Sequence, residues 1–269
     1  MHKDRKFRAA ASLAATVLLS VALFLLFFSI ELLAGYFNSR LFQESLRESD
    51  YGASMEQEML GKQKELFAAN GLPESLTDEI WEENKAYLAF YKYIDGGDAL
   101  DGEQGQREVI EDYFKRQNVN ETDSVKEAKD IVIEESKAIC RRYVYPSFVT
   151  GFRQLAGERK NALAIVLAIS AVVAAALTAF LFHWHKKREH ALRYVTGSVF
   201  AAAVWNIAGT VFLTYKSRLL FDGAASPSYQ KFLETYQSRG ILPWQIVSIA
   251  AVCMAVILLI ANMRMRKRG

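Results

Sequence analysis

Four long apolar runs, residues 9–30, 162–182, 195–215 and 241–261, punctuate an otherwise polar chain. Each is long enough to cross a bilayer as a helix, which takes roughly 20 mostly apolar residues for a ~30 Å hydrocarbon core. Between the first two runs the apolar spacing falls at three and four residues, as in Ile80, Tyr87, Leu88 and Tyr91 or Val109, Ile110, Tyr113 and Phe114. That spacing predicts helices near 38–48, 53–69, 75–94, 104–117 and 124–143, with another after Pro146 that runs directly into the second span. Ser75 to Asp78 and Ser124 to Glu127 fit the capping-box pattern, and Asn70-Gly71 reads as a helix C-cap. Asp95-Gly96-Gly97 through Gly105 reads as a turn-rich break. The predicted fold class is all-α, a four-helix transmembrane bundle with a helical domain inserted between spans 1 and 2.

The charge pattern orients this array. The leader, the hinge after the second run and the C-terminus together hold 12 basic residues and 2 acids, against 33 and 30 in the whole chain. Short cytoplasmic segments are enriched in Lys and Arg, and this bias sets topology. The reading is therefore a basic leader 1–8, span 1 at 9–34, an extracytoplasmic helical domain at 35–160, span 2 at 161–184 and a cytoplasmic hinge at 185–194. Span 3 follows at 195–215, an extracytoplasmic loop at 216–240, span 4 at 241–263 and a basic tail at 264–269. Both termini are expected in the cytoplasm of a bacterial plasma membrane. Residues 38–160 carry a net charge of −8, so the overall +3 hides a dipolar distribution. The basic residues then face anionic headgroups rather than nucleic acid. The first run is longer than a signal h-region and lacks a clean cleavage site, which favours a retained anchor.

The spans differ in character. Leu23 to Phe28 is apolar all round, as in a lipid-facing helix. In span 2, Ala164, Ala168, Ala171 and Ala175 share one helical face; small residues let helices approach closely in lipid, which makes span 2 the expected central helix. Span 3 offers Gly209 for packing and Asn206 as an interhelical hydrogen-bonding group. Span 4 opens with Pro243, and Trp244 and Trp184 are placed as interfacial anchors. Glu31 falls at the outer boundary of span 1, and no Asp, Lys or Arg lies inside a span, which argues against an ion-coupled transporter.

The search for chemistry returns no catalytic, cofactor-binding or metal residues. His183, His185 and His190 cluster, but on a helix the first two point apart by about 200° and cations surround them. The acidic run Asp78, Glu79, Glu82 and Glu83 lacks the alternating ligands and glycine of a calcium loop and reads as a solvated face. Trp81, Tyr87, Phe90, Tyr91 and Tyr93 read as core. Cys140 and Cys253 fall on different sides of the membrane boundary and cannot pair. Asn120-Glu121-Thr122 matches a glycosylation sequon. Walker, HExxH, GxSxG and GxGxxG motifs are missing from the chain.

Two resemblances follow from particular residues. With Phe37-Asn38-Ser39, Gly71-Leu72-Pro73 and Tyr93-Ile94-Asp95, the chain resembles a group of uncharacterised four-span membrane proteins of Firmicutes. Its topology also resembles the mechanotransmitting ABC permease subunits of the FtsX and MacB kind. Lys187-Arg188-Glu189 and Arg193 to Gly197 are similar to the charged turn and glycine that lead into their third span. That likeness implies an ATPase subunit as partner, reached through the hinge cations Lys186, Lys187 and Arg188. The chain departs from those permeases in having no amphipathic N-terminal or coupling helix. The expected function is a non-enzymatic membrane protein whose extracytoplasmic helical domain binds or senses a protein partner of the envelope; the permease-like subunit is the alternative, and a small transporter or channel the third reading. No cofactor and no nucleic acid enter any of them, and the lipid bilayer is a partner in all.

Overall fold

The computed structural model describes residues 2–81, 85–96, 101–118, 122–220 and 226–268. Ten helices follow in order: α1 (His2–Ala34), α2 (Ser39–Glu48), α3 (Tyr51–Ala69), α4 (Ser75–Ile80), α5 (Lys85–Ile94), α6 (Asp101–Arg116), α7 (Asp123–Val144), α8 (Ser147–Trp184), α9 (Arg188–Leu220) and α10 (Pro227–Arg268). Gly97 of the predicted turn, the pair Glu82 and Glu83, and Asn120 of the sequon lie outside the described residues.

Local rules account for most boundaries. Asn38 caps α2, its Oδ1 accepting the backbone N–H groups of Arg40 at 3.0 Å and Leu41 at 3.4 Å. Helix α3 ends in a Schellman motif. Gly71 takes φ +72°, Leu72 N–H donates to the Phe67 carbonyl at 2.9 Å, and Gly71 N–H donates to Ala68 at 3.1 Å. The two capping boxes do not form. Glu74, not Ser75, occupies the N-cap of α4, and Thr122 that of α7, each without a side-chain capping bond. The single helix expected over 75–94 is two, because Trp81 adopts extended backbone angles at the end of α4 to place its indole inside the domain.

Four helices, α1, α8, α9 and α10, are long and apolar enough to span a membrane. Their outward faces carry large apolar side chains, among them Val17, Ile169, Val172, Phe200, Val211 and Ile257, each at least half exposed. A belt of that extent is incompatible with water and fits hydrocarbon. The protein is an all-helical, multi-pass membrane protein.

The chain divides into two compact units. The first comprises residues 1–43, 155–224 and 234–269. In it α1 packs along α9: Leu19 and Ala22 meet Val195 and Val199, joined by Ala174 and Leu181 of α8 and Ala255 of α10. Phe27, Ala202, Ala203 and Ala251 form a second layer. The Ser198 hydroxyl, fully buried, donates across to the Thr16 carbonyl at 2.9 Å. Beyond these layers Gly35 lies against Gly240, where an added Cβ would sit 2.6 Å from the Gly240 carbonyl oxygen. Tyr236 O–H donates to the Tyr36 carbonyl at 2.5 Å above this contact.

Three expectations about the bundle are corrected. Helix α9, not the alanine-rich α8, is the most enclosed span. Ala164, Ala168, Ala171 and Ala175 are all exposed, and the buried face of α8 is Ser170, Ala174 and Leu181. In lipid an alanine face has no solvent penalty to escape, so alanine content does not decide which face packs. Pro243 does not open span 4; it sits inside α10, which starts at Pro227. Proline removes one backbone donor there, a defect membrane helices tolerate. Every described residue of the segment 216–240 except Ser226 is helical, over 216–220 and from Pro227 onward.

The second unit comprises residues 44–154 and 225–233. Met55, Met59, Phe67, Leu76, Phe90, Ile110 and Ile133 are its fully buried core. Tyr51 meets Phe90, Phe148 and Phe232 at ring distances of 5.1, 5.7 and 5.8 Å. A polar network crosses this core. Trp81 Nε1–H donates to Gln63 Oε1 at 2.7 Å, Gln63 Nε2–H donates to Ser136 Oγ at 3.2 Å, and Ser136 O–H donates to Gln106 Oε1 at 2.9 Å. Gly52 lets α5 approach α3, since a Cβ there would lie 2.7 Å from the Tyr87 ring. The Tyr87 and Tyr91 rings meet at a tilt, 4.7 Å apart, and burial pushes the Tyr91 phenol up to about 12. The expected aromatic core is seen in Trp81 and Phe90; Tyr87, Tyr91 and Tyr93 are half-buried at its margin.

Candidate functional site

The four spans bring together one carboxylate and one carboxamide. Glu31 on α1 and Asn206 on α9 are both fully buried, and Asn206 Nδ2–H donates to Glu31 Oε1 at 2.5 Å. Sequence reasoning placed Asn206 correctly in the bundle interior and left Glu31 at the boundary without a partner. Helix rise puts Glu31 about 28 Å along α1 from Ser12, close to one hydrocarbon thickness.

Helical geometry gathers further polar groups around the pair. One turn before Glu31, Phe28 meets the Trp244 ring edge-to-face at 5.6 Å. One turn after Asn206, Gly209 faces the same ring, and a Cβ there would lie 3.5 Å from it, an ordinary contact. Trp244 is 2% exposed, so it is an interior residue of the bundle and not an interfacial anchor. This is a correction with a simple cause: α10 begins well before Pro243, which moves Trp244 from a helix start to a helix interior. Thr210 O–H donates to the Asn206 carbonyl at 3.0 Å, and its oxygen lies 3.3 Å from Ser248 Oγ. Glu31 Oε2, Asn206 Oδ1 and Trp244 Nε1 are buried with no hydrogen-bond partner among the described residues. Such groups are rare and mark either stored strain or a place where a polar guest is held. Chemically the site is a carboxylate beside an amide with spare acceptor capacity. Among the described residues, no imidazole or amine bonds to either of them.

At the other end of the bundle, Ser12 Oγ donates to the Arg8 carbonyl at 2.9 Å and lies 2.9 Å from His185 Nε2. The hydroxyl proton being committed to Arg8, His185 Nε2–H is the donor to Ser12. This contact is a clamp and not a nucleophile with its base, because Ser12 is fully enclosed. His185 stacks on Tyr194 at 5.1 Å and lies 6.3 Å from His190. Helix α8 ends at Trp184, so the spacing expected for a continuous helix through His190 does not hold. No three His, Cys, Asp or Glu side chains gather as metal ligands among the described residues. Lys186, Lys187 and Arg188 are exposed, with Lys187 3.9 Å from Glu189. Trp184 stacks on Phe180 at 5.3 Å and its indole N–H is buried.

Burial, with His190 and Arg8 nearby, holds the His185 imidazole below its ordinary value. A group depressed on folding binds more protons in the unfolded chain, so the stability tied to neutral His185 is complete above ~6.5 and is lost as pH falls toward the folded value. His185→Gln should therefore lose less thermal stability than the native protein between about pH 7.5 and 5.5. Identical pH slopes in detergent melts would contradict this.

The second unit exposes a different kind of surface. Its buried Gln63, Trp81, Ser136 and Gln106 side chains bond to one another, and on its outside Leu88 is 63% and Ile131 53% exposed. Arg107 bridges Glu111 at 3.2 Å and Asp130 at 3.4 Å, and Arg116 bridges Glu79 at 2.8 Å, leaving a surface rich in carboxylates. Compared with known proteins, the chain matches no family model, no curated protein and no solved structure.

Proposed function

We propose that this chain is a non-enzymatic, multi-pass protein of a bacterial plasma membrane, with both termini cytoplasmic, whose helical domain lies outside and binds a protein partner of the envelope. One observation carries the reading: residues Glu44–Gln154 with Ala225–Leu233 form a compact unit with its own core. The polar network around Gln63 is consumed internally, so the working part of this unit is its surface. That surface is acidic overall and offers two aliphatic side chains, which suits a partner presenting a small apolar contact within a basic rim. The cation-rich short segments support the orientation.

The test uses the full chain in living cells. A photo-crosslinking residue at Leu88 or Ile131 should give one discrete protein adduct, and the same residue at buried Met59 should give none. A membrane-impermeant maleimide should label Leu88→Cys in intact cells. Failure of labelling would overturn the topology, and absence of adducts from both exposed positions would overturn partner binding. Adducts to an ATP-binding subunit from Lys187 would move the reading to the permease-like alternative.

A further inference from the structure

A trough runs between α9 and α10. Its apolar part encloses about 610 Å³ and is walled by Phe200, Val204, Ile207, Val252 and Val256. A polar part of about 410 Å³ is lined by Glu189, His190, Arg193, Asn262 and Arg266. Arg193, Leu259 and Asn262 border both, so the two are continuous. The volume of the apolar part is that of a ligand site rather than a packing defect.

We propose that this trough is a binding site for one anionic phospholipid, its acyl chain lying between α9 and α10 and its phosphate held by Arg193 and Arg266. Three observations support that occupant. The length fits: Arg193 to Ile207 is about 21 Å of helix, about two-thirds of a ~30 Å hydrocarbon core, enough for one leaflet with its headgroup. The charge fits: Arg193 and Arg266 form no ion pair among the described residues, while Glu189, which also lines the polar part, lies 3.9 Å from Lys187. Asn262 adds an amide donor beside them. The shape fits: Gly197 lines the apolar part, and a Cβ on it would meet nothing within 4 Å. A glycine in mid-helix costs about 1 kcal/mol relative to alanine. Here it leaves open the space that a chain would fill. Basic pockets between membrane helices on the cytoplasmic side are a recurrent way of holding anionic headgroups. The leaflet assignment rests on the topology proposed above, but the binding itself does not.

The experiment takes the full-length protein in detergent and titrates it with phosphatidylglycerol or phosphatidylcholine, reading bound lipid by native mass spectrometry. The native protein should hold one phosphatidylglycerol in preference to phosphatidylcholine. Gly197→Leu should abolish that binding with no loss of thermal stability, since leucine favours the helix. Arg193→Gln with Arg266→Gln should weaken phosphatidylglycerol by about thirtyfold, roughly fivefold for each cation, and leave phosphatidylcholine unchanged. Equal binding of both lipids, or full retention by Gly197→Leu, would overturn the proposal. Displacement of the lipid by glycerol phosphate or inorganic phosphate alone would also overturn it, showing a free-phosphate site instead.

Discussion

Gln63→Leu should destabilise the helical domain by about 3 kcal/mol. Leucine fills similar volume but cannot accept the Trp81 indole N–H, whose bond to Gln63 Oε1 is 2.7 Å long. It also removes the donor that serves Ser136 Oγ at 3.2 Å and Gln106 Oε1 at 3.5 Å. All four side chains are buried, and a stranded buried donor costs about 1–3 kcal/mol with no water to take its place. Gln106 Nε2 already lacks a partner among the described residues. Hydrogen exchange on the intact protein gives the readout: amides of α3, α6 and α7 should exchange faster, while those of α9 stay protected. Uniform acceleration along the whole chain would show that Gln63 does not act through this network. Lys62→Gln, one residue away and exposed, serves as the control.

How much of this was legible in the sequence differs by kind of force. The four spans are read directly, because a helix that crosses hydrocarbon must be long and apolar, and that demand is written in consecutive residues. Helix α8 runs from Ser147 into span 2, as the segment after Pro146 predicts, but the start of α10 at Pro227 carries no hydropathy signal, so the length of α10 and the place of Trp244 were missed. The choice of α8 as central helix rested on alanines at helical spacing. That spacing allows close approach but does not create attraction, and the attraction lies with Ser198 and Asn206 on α9. The Glu31–Asn206 pair could have been inferred, since one carboxylate near a span and one amide within another each require an interior partner. The Trp81–Gln63–Ser136–Gln106 network could not. It joins four separate elements, and nothing in local spacing marks glutamine as interior. Asn70-Gly71 was legible because a left-handed C-cap nearly demands glycine. The capping boxes misled because a serine followed by an acid three residues later also occurs within the first turn.

Asn206→Leu should destabilise the bundle by about 3 kcal/mol in detergent unfolding titrations, and Glu31→Met in the same chain should restore most of that loss. An interhelical hydrogen bond in lipid is itself modest, averaging ~0.6 kcal/mol and rarely above ~1.7, so the bond alone cannot account for the expected effect. The larger part comes from the carboxylate left behind. Glu31 is fully buried, its second oxygen has no partner among the described residues, and leucine would remove the donor to the first. Glu31→Met alone removes the costly group and strands only an amide, so its loss should be about 1–2 kcal/mol. In the double variant two apolar side chains meet where a polar pair stood, an exchange that is often neutral or stabilising. The cycle should thus show a coupling of about 3 kcal/mol between α1 and α9. Additive losses would mean that the two side chains do not act on each other. A double variant as stable as the native protein but unable to form the Leu88 or Ile131 adducts would assign the buried pair to function, since packing would then no longer explain why a carboxylate is kept inside the bundle.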